Sequence, residues 1–286
     1  MTDAKTATKR RNAAGLRRDL EVLEILGSPL SIRQGGLGVN KVAELTQRDK
    51  GQISRTLATL ADAGFIERNK TTGRYRLGHQ LYALAARTEE SRLVHESERF
   101  LRKVVNRIHE TAHLCVLRGG NVLTLKSELA LSAFRGLGWE GVSVAALRTS
   151  SGRALISDWS EADVRDWYEA HANDSLVVSP TVGLPPSIPD SFVSDSSTVS
   201  PTKIHTVEDL LDELALIRQR GFATVDEEFE LGLVGASAPV RDSSNTIIGV
   251  INVSAPKQRI GPYLNKLGSV VAEISSELSR ELGATA

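Results

Sequence analysis

Val39 to Leu77 reads VNKVAELTQRDKGQISRTLATLADAGFIERNKTTGRYRL, and the order of elements in it decides the fold of the first part of the chain: short helix, turn, second helix, basic hairpin. In the second helix Ile53, Leu57 and Leu60 recur at i, i+4 and i+7, a stripe that must face a core. The opposite side near its start holds Gly51 and Arg55, flanked by Gln52 and Ser54, with Lys50 in the first turn and Thr59 one turn beyond Arg55. Several of these side chains donate to bases or phosphates. Asp49 fits an N-cap, Gln52 follows at capping-box spacing, and Gly64 marks the stop. Val42 and Leu45 supply the apolar side of the preceding helix, and Thr46 to Arg48 the turn. Phe65 and Ile66 enter a strand, Asn69 to Gly73 form a polar turn, and Tyr75 and Leu77 alternate with Arg74 and Arg76 on the return. This is the layout of a winged helix-turn-helix, which makes a double-stranded DNA operator the expected partner. In that reading Gln52, Ser54 and Arg55 read base edges, while Lys41, Lys50, Thr59, Lys70, Arg74 and Arg76 hold phosphates.

Charge is distributed accordingly. The chain's 35 Lys and Arg balance 35 Asp and Glu, but residues 1–80 carry 15 basic against 8 acidic side chains, leaving 20 against 27 for residues 81–286. Lys5, Lys9, Arg10, Arg11, Arg17 and Arg18 crowd the start, where residues 1–14 are expected as a basic flexible tail able to add phosphate contacts. A length of 286 residues and a hydrophobic fraction of 41% suit about two ordinary domains. No apolar run approaches the roughly 20 residues of a membrane span, and the start lacks a signal-peptide core. A single cysteine, Cys115, excludes an internal disulfide framework and a multi-cysteine zinc site within one chain. It lies in the strand-like run HLCVL and reads as a small core residue. A cytoplasmic protein without membrane association or cofactor is expected.

Arg17 to Leu26 reads as a helix with Leu20, Leu23 and Ile25 inward, and Gly27 to Gly38 as a loop broken by Pro29 and glycines. The winged unit is therefore placed at residues 15–78. Helical pattern resumes at His79, breaks near Thr88 to Ser91, and continues through Val94, Leu101, Val104 and Ile108, a connector over residues 79–110 whose apolar spots suit either a second copy or the following domain. From Thr111 the period changes. Leu114 to Leu117 and Val122 to Leu125 flank Gly119-Gly120-Asn121, and Ser237 to Arg241 and Ile247 to Val253 flank Asp242 to Asn245, two hairpins. Helices are read near Gly152 to Asp158, Glu161 to Ala170, Val207 to Arg220 and Tyr263 to Leu282. Residues 111–286 thus form an α+β domain, an antiparallel sheet flanked by helices. Residues 173–203 hold five of the nine prolines and many serines, a long loop.

The segment GQISRTLATLADAGFIERNKTTGRYRLG, the later SSGRALIS, and GFATVDEEFELGLVGASAPVRDSSNTIIGVINVSAP resemble the IclR family of bacterial transcriptional regulators, from about Leu16 to the C-terminus. Only the Ser/Pro-rich loop lacks a counterpart. The resemblance implies a GAF-like effector domain, a linker helix, and self-association, as a dimer through the N-terminal part or as a tetramer. It also implies a small-molecule pocket that uses Ser150 and Ser151 before the SGRA helix, Leu233 and Gly235 in the LGLVG run, and Asn252 and Ser254 in INVS. Relatives that bind small oxoacids tend to have a carboxylate where Val225 stands, a cysteine or comparable side chain at Gly235, and a hydroxyl at Asn252. These departures make the site less polar and larger, and Phe134, Leu137 and Val144 are expected to add an apolar wall. A bulkier carboxylate effector, aromatic or branched, follows.

Catalysis is the competing class. Asp226, Glu227, Glu228 and Glu230 are bunched acids that read as a solvated face or cap rather than an acid–base pair. His109 and His113 stand at i and i+4, but Thr111-Ala112 should end the helix between them, and His171 adds no third-ligand spacing. GLGWEG lacks the lysine of a phosphate-binding loop. No enzyme and no metal are expected. A ligand-responsive DNA-binding regulator leads. A constitutive DNA-binding protein whose second domain only oligomerises comes next, and an enzyme acting on a small acid last.

Overall fold

The computed structural model describes residues 2–130, 139–174, 177–179 and 202–285, with the backbone alone at 2–14 and 177–179. Two compact units emerge: Met1–Ser91 and, among the described residues, Arg92–Ser179 with residues 202–285. Phe134, Leu137 and most of the 173–203 segment lie outside the described residues, as do the side chains of the basic tail.

The first unit contains α1 (Thr2–Gly27), α2 (Pro29–Gln34), α3 (Val39–Thr46), α4 (Lys50–Asp62), β1 (Ile66–Arg68), β2 (Tyr75–Leu77) and α5 (His79–Ala85). Its core joins Val22, Ile25 and Leu26 of α1 to Leu37, Val42, Ile53, Leu57, Ile66 and Tyr75. Leu20, expected inward, is 49% exposed, because the buried stripe runs through Val22, Ile25 and Leu26 at i, i+3 and i+4 and Leu20 falls on the far side. The expected loop after Gly27 also holds a helix, α2. Pro29 sits in its first turn, where a missing N–H costs nothing, and the Ser28 hydroxyl accepts from Ser31 N at 3.3 Å.

Asp49 Oδ1 caps α4 by accepting from Gln52 N at 3.0 Å. Gly64, at φ +76°, ends it with bonds from Gly64 N to Ala61 O and from Phe65 N to Leu60 O, the paired closure of a Schellman motif. In the wing Ile66 pairs with Leu77, Glu67 with Arg76 and Arg68 with Tyr75. The Asn69 side chain accepts from Thr71 N and Thr72 N, which shapes the turn.

In the second unit α6 (Glu89–Ile108) leads into β3 (Ala112–Arg118), β4 (Asn121–Glu128), β5 (Ser143–Ala145), a 3₁₀ turn (Ala146–Arg148), α7 (Ser150–Leu155), α8 (Glu161–His171), β6 (Val177–Ser179), α9 (Val207–Arg220), β7 (Ala223–Asp226), β8 (Leu233–Arg241) and β9 (Ile247–Pro256). The chain closes with α10 (Lys257–Ile260), a 3₁₀ turn (Gly261–Tyr263) and α11 (Leu264–Glu281). The strands form one antiparallel sheet in the order β6-β5-β4-β3-β9-β8-β7. Alternation splits its two faces. Leu114, Val116, Ala236, Ala238, Ile251 and Val253 point to one layer, packed on α6 and α11 through Leu101, Val104, Val271 and Ile274. The apolar face of α6 is therefore covered by its own domain. Cys115, Val122 and Val250 point to the other layer, where Leu155, Trp167, Leu210 and Leu214 of α7, α8 and α9 cover them.

Candidate functional site

On that second face the sheet and α7 enclose a cavity of about 400 Å³. Alternate residues of β9 and β8 aim into it: Asn252, Ser254 and Pro256, and Leu233 and Gly235. From β3 and the chain before it come Glu110, Thr111, His113 and Cys115, and from β4 and β5 come Val122, Thr124 and Val144. Thr149, Ser150 and Ser151 start α7, held there because Thr149 Oγ1 accepts from Gly152 N at 3.0 Å. A Cβ on Gly152 would collide with the Ala146 carbonyl, so the glycine of SSGRA lets α7 press on the preceding turn. Val225, Phe229 and Glu230 come from β7 and the loop after it, and Trp139 packs edge-on against Phe229 with ring centres 6.4 Å apart.

The sequence-derived residues Val144, Ser150, Ser151, Val225, Leu233, Gly235, Asn252 and Ser254 all line this cavity. Phe134 and Leu137 lie outside the described residues. Among the described residues, Trp139 and Phe229 give the cavity an aromatic wall. Ser237 went unread although it is central to the polar network behind the cavity, being approached by Ser150 Oγ at 2.9 Å and Ser151 Oγ at 3.0 Å. Asn252 Nδ2 donates to Ser237 Oγ at 2.9 Å, and Ser254 Oγ donates to Asn252 Oδ1 at 3.0 Å. Three hydroxyls share these two contacts, and Ser151 also reaches the Cys115 sulfur, so the protons of the cluster have alternative acceptors. Period-two spacing from Gly235 was the signal that pointed to Ser237.

Burial pushes the His113 imidazole down to about 4, against an opposing pull from Glu140, so the ring is neutral at pH 7. Its Nδ1 lies 2.8 Å from Ser127 Oγ. Burial likewise raises the Cys115 thiol to about 11, against hydrogen bonds from Thr124 and Ser151.

The acidic run is not uniformly solvated, contrary to expectation. Glu228 is buried at 1% exposure and takes a two-pronged bond from Arg153, equally buried, at 3.1 and 2.6 Å. Glu228 also accepts from Lys203 N at 3.0 Å, and Arg153 Nε donates to Leu147 O at 3.0 Å. Burial works to raise the Glu228 carboxyl, but the Arg153 guanidinium and the Lys203 N–H outweigh it and leave the group below its ordinary value. This pair ties the loop carrying Phe229 and Glu230 to the helix carrying Ser150 and Ser151. Glu227, at φ +58°, meets Lys257 at 2.6 Å. His109, at φ +62°, falls beyond the end of α6 while His113 lies on β3, so the i,i+4 pair shares no helix.

In the first unit Lys50, Gln52, Ser54, Arg55 and Thr59 are exposed on α4, the last with its hydroxyl donated to Arg55 O at 3.1 Å. Lys41 is ion-paired with Glu44 at 2.6 Å, Arg76 with Glu67 at 3.0 Å, and Arg74 donates to Gln34 O. Lys70 is exposed in the wing turn. Arg68, unread in the sequence, is exposed above the Tyr75 ring at 5.6 Å. Arg48, read only as turn, anchors the helix-turn-helix to α1 through Asp19 at 2.9 Å. No helix among the described residues is long and apolar enough to cross a membrane.

Comparison with known proteins agrees with this architecture. Residues 191–280 match the model of the bacterial transcriptional regulator IclR C-terminal domain. The HTH-type transcriptional regulator BhcR of Paracoccus denitrificans is 25% identical over 266 residues, 92% of this chain and 85% of that protein. The glycerol operon regulatory protein of Streptomyces coelicolor is 26% identical over 278 residues, 93% and 98% of the two chains. The fold is shared with the crystal structure of an IclR homolog complexed with 4-hydroxybenzoate from Microbacterium hydrocarbonoxydans, at a TM-score of 0.72, 20% identity, and coverage of 94% and 99%. With the winged helix-turn-helix and the cavity-bearing antiparallel sheet already in place, the chain carries a match to the IclR C-terminal domain and is similar along nearly its whole length to bacterial transcriptional regulators.

Proposed function

We propose that this regulator binds a DNA operator through its first unit, as a dimer or tetramer, and that a small organic acid with an aromatic ring modulates that binding from the cavity of the second. Gln52, Ser54 and Arg55 are assigned to base edges, and Lys41, Lys50, Thr59, Lys70, Arg74 and Arg76 to phosphates, with residues 79–110 as the connector. The observation that carries the effector reading is the cavity itself: about 400 Å³, walled by Trp139, Phe229, Val144 and Val225, with a hydroxyl and amide cluster at Ser150, Ser237 and Asn252. The homologue crystallised with 4-hydroxybenzoate supports the same class. An effector acts only if it binds one arrangement of the DNA-bound assembly better than another.

The test is operator binding of the whole protein with candidate aromatic acids as effectors. Gly235→Phe fills the cavity beside Ser150 Oγ, which a Cβ there would already approach to 3.2 Å. The variant is expected to lose the effector response while basal operator affinity stays within about twofold, since the change is confined to the second unit. A response that survives in Gly235→Phe would move the effector elsewhere. An intact protein on which no acid acts would favour constitutive DNA binding, and turnover of a bound acid seen by mass spectrometry would favour an enzyme.

A further inference from the structure

Besides the hydroxyl cluster, the cavity wall carries a carboxylate in the chain just after α6. Glu110 is 6% exposed and lines the cavity, and both of its oxygens accept from Arg259 on α10, from Nε at 2.7 Å and from Nη2 at 2.8 Å. A carboxylate offers about four acceptor positions, of which the guanidinium takes two. In the ion pair Glu110 can only accept, so it presents the cavity with a place for an O–H or N–H and repels an acceptor oxygen. The cluster around Ser237 offers the converse, hydroxyl protons of Ser150 and Ser151 that can turn from their neighbours to a ligand acceptor. His113 pairs with Asn252 across β3 and β9, and Glu110 lies three residues before His113. Three residues of chain can span at most about 10 Å, which bounds the backbone separation of Glu110 from His113, the neighbour of Asn252 on the donor side. One substituted aromatic ring with a hydrogen bond at each end suits that span.

We infer that Glu110, positioned by Arg259, selects for a ligand that carries a hydroxyl donor remote from its carboxyl group, the class of hydroxylated aromatic acids. The inference rests on the effector reading of the cavity and sharpens it. A site built to accept a hydrogen bond rejects the analogue without the donor, because the acceptor is then desolvated and unmet. Glu230, the other carboxylate among the described lining residues, sits on the loop beside Phe229, whereas Glu110 is the one held by the two-pronged bond from Arg259.

Calorimetric titration of the full-length protein with 4-hydroxybenzoate, 4-methoxybenzoate and benzoate decides it. The wild-type protein is expected to prefer the hydroxy acid over both others by roughly tenfold or more. Glu110→Gln brings an amide N–H that can donate to the methoxy oxygen, so the hydroxy-to-methoxy ratio should fall to near one. Glu110→Gln with Arg259→Gln should do the same without leaving a guanidinium unpaired, and thermal unfolding checks that both variants are folded. Wild-type binding of all three acids with equal affinity overturns the inference and leaves the effector reading standing, as does a hydroxy preference that persists in either variant. If none of the three binds the wild-type protein, the aromatic-acid reading falls and this inference with it.

Discussion

Arg153 and Glu228 meet where neither side chain reaches water, each at 1% exposure. Breaking such a pair strands a charge, so Arg153→Met is expected to cost about 3–5 kcal/mol in denaturant titration. Adding Glu228→Leu should recover part of this, with Lys203 N left short of its acceptor. The pH dependence has a definite sign. Glu228 is held below the 4.5 of a free carboxyl, so its contribution is present above that value and is lost as pH falls through its lower folded value. His113 acts over a different window. Its folded value of about 4 lies below the 6.5 of a free imidazole, so the unfolded chain takes up a proton first and stability falls as pH drops from 6.5 toward 4. His113→Gln should flatten that slope, read as urea midpoints at pH 7 and pH 5. An unchanged slope would place the titration elsewhere.

At the scale of elements, the proposed operator binding divides its work between α4 and the wing. Arg55→Ala, on the exposed face of α4, is expected to cost about 1–3 kcal/mol of operator affinity and relax preference at one base pair per half-site. Lys70→Ala in the wing turn should weaken every sequence alike and lower the salt dependence of binding. Equal discrimination among operator variants before and after Arg55→Ala would reject the assignment of α4. Elements set by local chemistry were legible in the sequence. The helix read at Val207 to Arg220 is α9 to the residue, since Thr206 and Asp209 form both halves of a capping box and Gly221 closes it at φ +81°. The turn at Gly119-Gly120 and the stripe Ile53, Leu57, Leu60 behaved likewise, being fixed by neighbours in sequence. Features that depend on distant partners were not legible. Pro29 and the glycines after it weigh against a helix until Ser28 is seen capping one, and Glu228 looks solvated until Arg153, 75 residues away, is placed on it. The cavity was legible where the family resemblance and strand alternation both spoke, at Asn252 and Ser254. It was silent at Glu110, Trp139 and Phe229, which reach the wall from loops that have no period.

Over the whole molecule, the +7 of residues 1–80 and the −7 of residues 81–286 place the net positive charge that the proposed DNA binding needs in the first part of one neutral chain, apart from the cavity. Three ion pairs, Arg99 with Glu281, Lys103 with Glu277 and Arg107 with Glu273, run along α6 and α11 at four-residue steps. Exposed pairs of this kind contribute little each, about 0–1 kcal/mol, so the buried face of α6 is what keeps that helix with the second unit. The chain's one cysteine, Cys115, lies in the cavity wall with its thiol raised to about 11. Nature has thereby installed a single chemical tag where the small molecule should sit. Alkylation of the native protein at pH 8 should be slow, complete only on unfolding, and slower still when the cavity is occupied, so the labelling rate followed by intact mass reports occupancy for any compound without knowing what it is. A compound that shifts operator binding yet leaves that rate untouched would have to act from outside the cavity.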